Sequence, residues 1–296
     1  MTIIDFHSHV FWYPDHLSDE LVDDALAAKR VKLERSGGKA FLTREDRHAN
    51  DSLPEQHRAA TAAADRVVVF GIRAAATGFA VPNEVIADYV RTDPDRLEGW
   101  ASVDPNDPDC VEQLDHCVQD LGLKGLKVAP VYQHWDPVDP RNWKLFERCV
   151  ELGIPVMIHQ GTTYPRRAKL EWGRPLQLEP LVMALPDLRM IIAHLGHPWE
   201  EEVVALVRKT PNLYTDVSAL HFRPWRFWQA MITAFEYGVT HKLLFGSDFP
   251  NAPTQVAIDG LREVNHVVDG TPLPKVPSEV IESILSENWK RFYGTG

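Results

Sequence analysis

Eight short apolar runs, each followed by a stretch of helical character, limit what this 296-residue chain can fold into more than any other feature. They read TIIDFHSH (2–9), RVVVFGI (66–72), LEGWASV (97–103), GLKVAP (125–130), PVMIHQG (155–161), RMIIAHL (189–195), NLYTDVS (212–218) and HKLLFGSD (241–248). Near-continuous apolar runs suit strands covered on both faces, as in a parallel sheet. The segments between them carry helix punctuation. PNEVIADYVRTDP opens and stops at proline, DPDCVEQLDHCVQDLG and DPRNWKLFERCVELGIP enter through Asp-Pro and leave at glycine, and HPWEEEVVALVRKTPN has acids first and bases last. Such ends complement the helix dipole and the backbone groups that a helix terminus leaves unpaired. Eight β-α units in succession predict an α/β fold: a single (β/α)8 TIM barrel with a C-terminal helix.

Length alone allows two domains, but α/β barrels of roughly 250 residues fold as one, so residues 1–296 are expected to form one barrel domain. Two segments exceed what a barrel needs. Residues 10–54 form an insertion after the first strand, containing a charged helix and a Gly-Gly turn, and residues 161–175 form a long loop after the fifth. Both would lie at the barrel's C-terminal mouth, where lids and binding loops belong, and 10–54 is expected to act as a lid.

Charge and cysteine content narrow the surroundings. The chain carries 31 Lys and Arg against 42 Asp and Glu, a net charge of −11, with no basic run or stripe. A nucleic-acid partner, which demands clustered cations, is therefore not expected. No secretory leader and no run of 18 apolar residues is visible, so no membrane partner is expected. The three cysteines, Cys110, Cys117 and Cys149, form no CxxC pair and are odd in number, which fits a reducing, cytoplasmic setting. They are expected in the core or on helix surfaces.

The chemistry lies at the strand ends. His7 and His9 close the first run, and alternate residues of a strand face the same way, so the two stand side by side. His159 closes the fifth run, His194 the sixth, and Asp248 the eighth. Residues spread over the whole chain thus converge on one mouth, where barrel enzymes build their sites. Imidazoles with a carboxylate suit Zn2+ best, with Mn2+, Fe2+ or Co2+ as further options. The expected ligands are His7, His9, His159 and Asp248, with a position left for water or substrate. Asp248 would also move a proton, and His194 would orient the water or polarise the substrate.

These same residues carry a resemblance. DFHSH, IHQG, AHLGHPW and GSDFP, in that order, resemble the amidohydrolase superfamily, and GLKGLKVAP, HLGHPW and SENWKRFYG resemble its branch containing aminocarboxymuconate-semialdehyde decarboxylase. The resemblance covers essentially the whole chain. It implies the barrel, a divalent metal and these ligand roles, with His194 acting beside the metal more than as a ligand. It also raises a second arrangement. Lys127, in GLKVAP, would be carboxylated and bridge two ions, His7, His9 and Asp248 holding one and His159 and His194 the other. The single-ion site is favoured. The resemblance leaves the reaction open. The leading expectation is a metal-dependent hydrolase of a small amide, lactone or related carbonyl. The alternative is a non-oxidative decarboxylase of an aromatic or muconate-like carboxylate. A non-catalytic barrel is disfavoured by the complete ligand set, and a dehydrogenase by the lack of GxGxxG after a strand. A homodimer is a further expectation drawn from the branch.

Weaker candidates surround this set. Arg73, Arg166 and Arg167 could clamp a substrate carboxylate, although surface pairing is the commoner fate of an arginine. His197, His134 and Trp135 fall near the presumed mouth, and the aromatic run FRPWRFWQ (222–229) could line a pocket or simply pack. His16, His48 and His57 lie in or beside the insertion and have no assigned place.

Overall fold

The computed structural model describes residues 2–35 and 46–295. Eight parallel strands follow chain order: β1 Ile4–His9, β2 Arg66–Phe70, β3 Leu97–Ser102, β4 Leu126–Val128, β5 Val156–Ile158, β6 Met190–Ile192, β7 Leu213–Asp216 and β8 Leu243–Leu244. The eighth meets the first. The Phe6 amide donates to the Phe245 carbonyl (2.9 Å), the Asp248 amide to the His7 carbonyl (2.7 Å) and the His9 amide to the Phe249 carbonyl (2.8 Å). The sheet is thus a barrel, with each expected apolar run supplying one strand. Helices Asn83–Arg91, Cys110–Gln119, Lys144–Leu152 and Glu200–Lys209 form where proline, glycine and end charges punctuate the sequence. Beyond the eight barrel strands, the two-residue strands Arg73–Ala74 and Phe79–Ala80 pair antiparallel after β2.

Buried side chains fall into two clusters because alternate residues of each strand face opposite ways. One set, including Val67, Val69, Leu126, Val128, Val156, Ile158, Met190 and Ile192, packs outward against the helices. The other, including Phe6, Val68, Phe70, Trp100, Met157, Ile191 and Leu244, fills the barrel interior. Phe292, from the C-terminal helix Asn288–Tyr293, closes this interior with its ring edge-on to Phe6 (5.5 Å) and Tyr214 (5.2 Å). Cys110, Cys117 and Cys149 are all buried in the outer layer.

The first strand breaks the alternation once. Its register against β2 shifts between Asp5 and Ser8. Phe6 belongs to the interior cluster, yet His7 also faces inward, stacked 4.6 Å from the His194 ring. Asp5 and Ser8 point the other way, to Thr254 Oγ1 (2.6 Å) and to His57 Nε2 (2.8 Å). A bulge of this kind re-aims a side chain, and here it turns both His7 and His9 into the barrel.

The insertion after β1 contains the helix Asp19–Arg35, whose Leu21 and Val22 are buried. Asp24 ties this helix to the loop after β5 by accepting from the Arg166 amide (2.8 Å) and Nε (2.6 Å). The Gly-Gly turn expected at 37–38 lies outside the described residues.

Candidate metal centre

The C-terminal strand ends surround the floor of a cavity of about 420 Å3. His9, Lys127, His159, His194 and Asp248 line it, as do Leu21, Val22 and Lys29 of the insertion helix. His7 lies beneath, fully buried.

Hydrogen bonding sets which nitrogen of each ring faces the centre. His7 Nδ1 lies 2.9 Å from Asp216 Oδ2, and an ionised carboxylate can only accept, so Nδ1 carries the proton. Its Nε2 lone pair then faces Asp248 Oδ1 at 3.4 Å. His9 Nε2 is 3.3 Å from the same oxygen, and its buried Nδ1 has no hydrogen-bond partner among the described residues. Asn251 Nδ2 donates to the other Asp248 oxygen at 2.6 Å. Ser218 Oγ donates to Asp216 Oδ1 and sits 2.7 Å from His194 Nδ1, so that ring donates to the serine and turns its Nε2 lone pair outward. His159 lines the same cavity, its ring 5.1 Å from that of His194 and its Nε2 3.2 Å from the Thr162 carbonyl.

Among the described residues, two compact donor groups result: His7, His9 and Asp248, and His7, His194 and Asp216. The first fits a divalent ion. Ligands 2.0–2.1 Å from a tetrahedral centre are about 3.3 Å apart, which matches the 3.4 and 3.3 Å between the two imidazole nitrogens and Asp248 Oδ1. Asp216 then orients His7 from behind, as a carboxylate does for many metal-bound histidines.

The backbone is strained at the same place. His194 (φ 56°), Leu195 (φ 49°) and Asp248 (φ 58°) are left-handed, a region that non-glycine residues rarely enter and that often marks functional sites. Gly246 is required for a different reason: a Cβ there would stand 2.8 Å from His7 Cβ and 3.2 Å from Ser218 Cβ.

Electrostatics follow from burial among charges. Burial alone would raise Asp248, but His194, His7 and His9 hold it well below the usual carboxylate range. Burial would raise Asp216 too, and the His7 ring holds it down instead. Burial pulls His194 down to about 4 against the pull of Asp248. Burial brings the Lys127 ammonium down to about 8, opposed by Asp216 and Asp248. Its Nζ lies 3.4 Å from His7 Nε2 and 4.8 Å from the Phe70 ring centre.

The weaker candidates resolve differently. Arg166 pairs with Asp24 (2.6 Å), Arg167 faces Glu20 (3.6 Å) and Arg73 faces Asp107 (3.9 Å), so none of the three is a clamp on the cavity floor. His197 lines the cavity, with Nδ1 2.6 Å from Glu200. His134 meets the Arg167 carbonyl (2.6 Å), and Trp135 is buried against Phe146. His48 pairs with Asp51 and His16 accepts from the Trp12 amide. His57 is fully buried behind the site. Ser8 Oγ donates to the Val68 carbonyl and therefore accepts from His57 Nε2, while Tyr89 faces Nδ1. Asp216 and Ser218 were not singled out from the sequence, although both lie at the end of β7, as the histidines lie at the ends of theirs.

An eight-stranded parallel barrel with histidines and a carboxylate converging on its C-terminal mouth defines a class of barrel enzyme. The sequence profile of the family described as Amidohydrolase matches residues 4–295, and the chain belongs to that family. Gamma-resorcylate decarboxylase of Rhizobium radiobacter is 27% identical over 140 residues, covering 38% of this chain and 43% of the relative. 2-Amino-3-carboxymuconate-6-semialdehyde decarboxylase of Dictyostelium discoideum is 23% identical over 197 residues, covering 57% and 55%. The chain thus spans about half the length of these curated relatives. Among solved structures, an uncharacterized TIM-barrel protein from Bordetella bronchiseptica superposes with a TM-score of 0.74 at 20% identity, covering 100% of this chain and 99% of the other. No described helix is long and apolar enough to cross a membrane.

Proposed function

We propose that this chain is a metal-dependent, non-oxidative carboxy-lyase of a small conjugated carboxylate. The carrying observation is the Asp248 carboxylate, fixed between two imidazole nitrogens and Asn251 on the floor of an aromatic-walled cavity. The names of the relatives move decarboxylation ahead of the hydrolysis expected from the sequence. His7, His9 and Asp248, with His159 as a further donor from β5, would hold the ion; the donor set suits Zn2+ and also accommodates Mn2+. When bound, the ion supplies Lewis-acid stabilisation of negative charge on substrate oxygens.

This chain's own groups do the rest. Phe11, Phe79, Tyr132 and Phe222 line the cavity and suit a planar, conjugated molecule. Asp248, held as the ion, accepts the proton that a hydroxyl-bearing substrate gives up on binding. It returns that proton to the carbon bearing the carboxylate. The carbon–carboxylate bond then breaks, its electron pair flows back into the conjugated system, and CO2 leaves. His194, with its Nε2 turned outward and its Nδ1 held by Ser218, orients the reacting carboxylate.

The test is a paired screen. Hydroxybenzoates and muconate-type acids are assayed for CO2 release, and lactones, esters and amides for hydrolysis, each with added Zn2+ or Mn2+. In D2O, one deuterium should replace the lost carboxylate on carbon. Hydrolytic turnover with no CO2 from any acid would overturn the reading and restore the metal-dependent hydrolase.

A further inference from the structure

One histidine of the cavity wall belongs to neither donor group. His197 follows β6 at the entry to the helix Glu200–Lys209 and lines the cavity. Its backbone is fixed twice. The amide donates to the His194 carbonyl at 3.0 Å, and the carbonyl accepts from the Thr162 amide, in the loop after β5, at 2.7 Å. Its side chain is fixed from behind. Nδ1 lies 2.6 Å from Glu200 Oε1, and Arg226 Nη2 donates to the other oxygen of that carboxylate. The imidazole is 15% exposed and Glu200 only 3%, so the cavity meets the ring and the carboxylate lies behind it.

This chain of groups sets the tautomer. Burial would raise Glu200, but the hydrogen bond from His197 and the nearby Arg226 charge hold it below its usual value, so it is an ionised acceptor. A carboxylate can only accept, so in the neutral ring Nδ1 carries the proton and Nε2 keeps a lone pair. Nε2 has no hydrogen bond among the described residues. In a cavity walled in part by Phe11, Phe79 and Phe222, an acceptor of fixed orientation selects a ligand that brings a donor.

We propose that His197 is a specificity residue whose Nε2 accepts a hydrogen bond from a hydroxyl or amino group that the substrate keeps through the reaction, Glu200 and Arg226 being the positioning residues that fix its tautomer. That this group sits on a conjugated acid rests on the carboxy-lyase reading. The acceptor itself does not. A site built to accept from a donor binds an analogue without one more weakly, because a polar group is then left unpaired. The same geometry says how to reverse the preference. In Glu200→Gln, Arg226 can still only donate, so it keeps the amide oxygen toward itself and turns the amide NH2 toward Nδ1. The ring must then accept at Nδ1 and carry its proton on Nε2, which becomes a donor.

The test uses ligands that cannot react. Benzoate, 3-aminobenzoate and 3-methoxybenzoate are titrated calorimetrically into the metal-supplemented wild type, His197→Phe and Glu200→Gln. The amino ligand donates, whereas the methoxy ligand can only accept. The wild type should bind 3-aminobenzoate about tenfold more tightly than 3-methoxybenzoate, a difference of one decade in Kd. His197→Phe should abolish that preference, and Glu200→Gln should reverse it, which a merely structural bond between His197 and Glu200 would not do. Benzoate, lacking both groups, should bind all three proteins within about twofold, showing an intact cavity. A preference that is absent from the wild type, or that survives in His197→Phe, overturns the acceptor. One that persists in Glu200→Gln overturns the positioning by Glu200. Because the ligands are inert, the preference is read whether or not the CO2 screen succeeds, so the two proposals fail separately.

Discussion

The two ends of the barrel interior are built from the same inward-facing strand positions but with opposite chemistry. At the N-terminal end these positions carry Phe6, Val68, Met157, Ile191 and Leu244, closed by Phe292. One layer further along the strands they carry His7, His9, Lys127, His159, Asp216 and Asp248. The lower layer needs no special backbone. The upper layer has a bulge in β1, left-handed residues at His194 and Asp248, a glycine where a Cβ would strike His7, and several buried charges. Apolar packing stabilises the first, whereas the second imposes strain and dehydration that pairs such as His7 with Asp216 and Asn251 with Asp248 offset in part. On the proposed function, the lower end holds the fold and the upper end the chemistry.

Substitutions should separate the two ends. Asp248→Asn keeps a residue that tolerates the left-handed backbone, so it should leave thermal unfolding nearly unchanged while CO2 release falls by about 10²–10⁴-fold. Conversely, Phe292→Ala should cost about 3–5 kcal/mol in urea unfolding with activity per folded molecule preserved. If the Phe292 variant loses activity at full stability, the division between the ends is wrong.

Gly246→Ala sharpens the boundary. Its Cβ would push His7 away from Asp216, so metal affinity should drop by about 10–100-fold with an unchanged circular dichroism spectrum. A smaller effect is expected behind the site. Burial, with Arg96 nearby, holds His57 down to about 3 in the fold, whereas an unfolded histidine titrates near 6.5. Between those values the unfolded chain binds the extra proton, so His57 contributes stability that is complete above about pH 6.5 and is lost as pH falls toward 3. The stability of His57→Gln should therefore decline less steeply over that window, by up to about 1.4 kcal/mol per pH unit. Parallel curves for the two proteins would show that His57 does not titrate in this way.

Much of this arrangement is legible in the amino-acid order alone. Alternation of apolar runs and punctuated helices locates all eight strands, and strand ends alone bring His9, His159, His194 and Asp248 to one cavity, with His7 directly beneath its floor. The same rule reaches Asp216, the last residue of β7, once it is applied to every ionisable strand end and not to histidines first. Other features have no local signal. The bulge that turns His7 inward exists only in the pairing of β1 with β2. Arg166 and Arg167 resemble clamps in the sequence because their partners, Asp24 and Glu20, lie in a distant helix.

Metal content per chain, by elemental analysis of the wild type and of the His7→Ala/His9→Ala double variant, tests the division between the two ends most directly. About one divalent ion in the wild type, absent from a double variant that still folds, is the expected result. A wild type that holds no ion and takes up neither zinc nor manganese would contradict it, and the upper layer would then need another explanation for its strain and its buried charges.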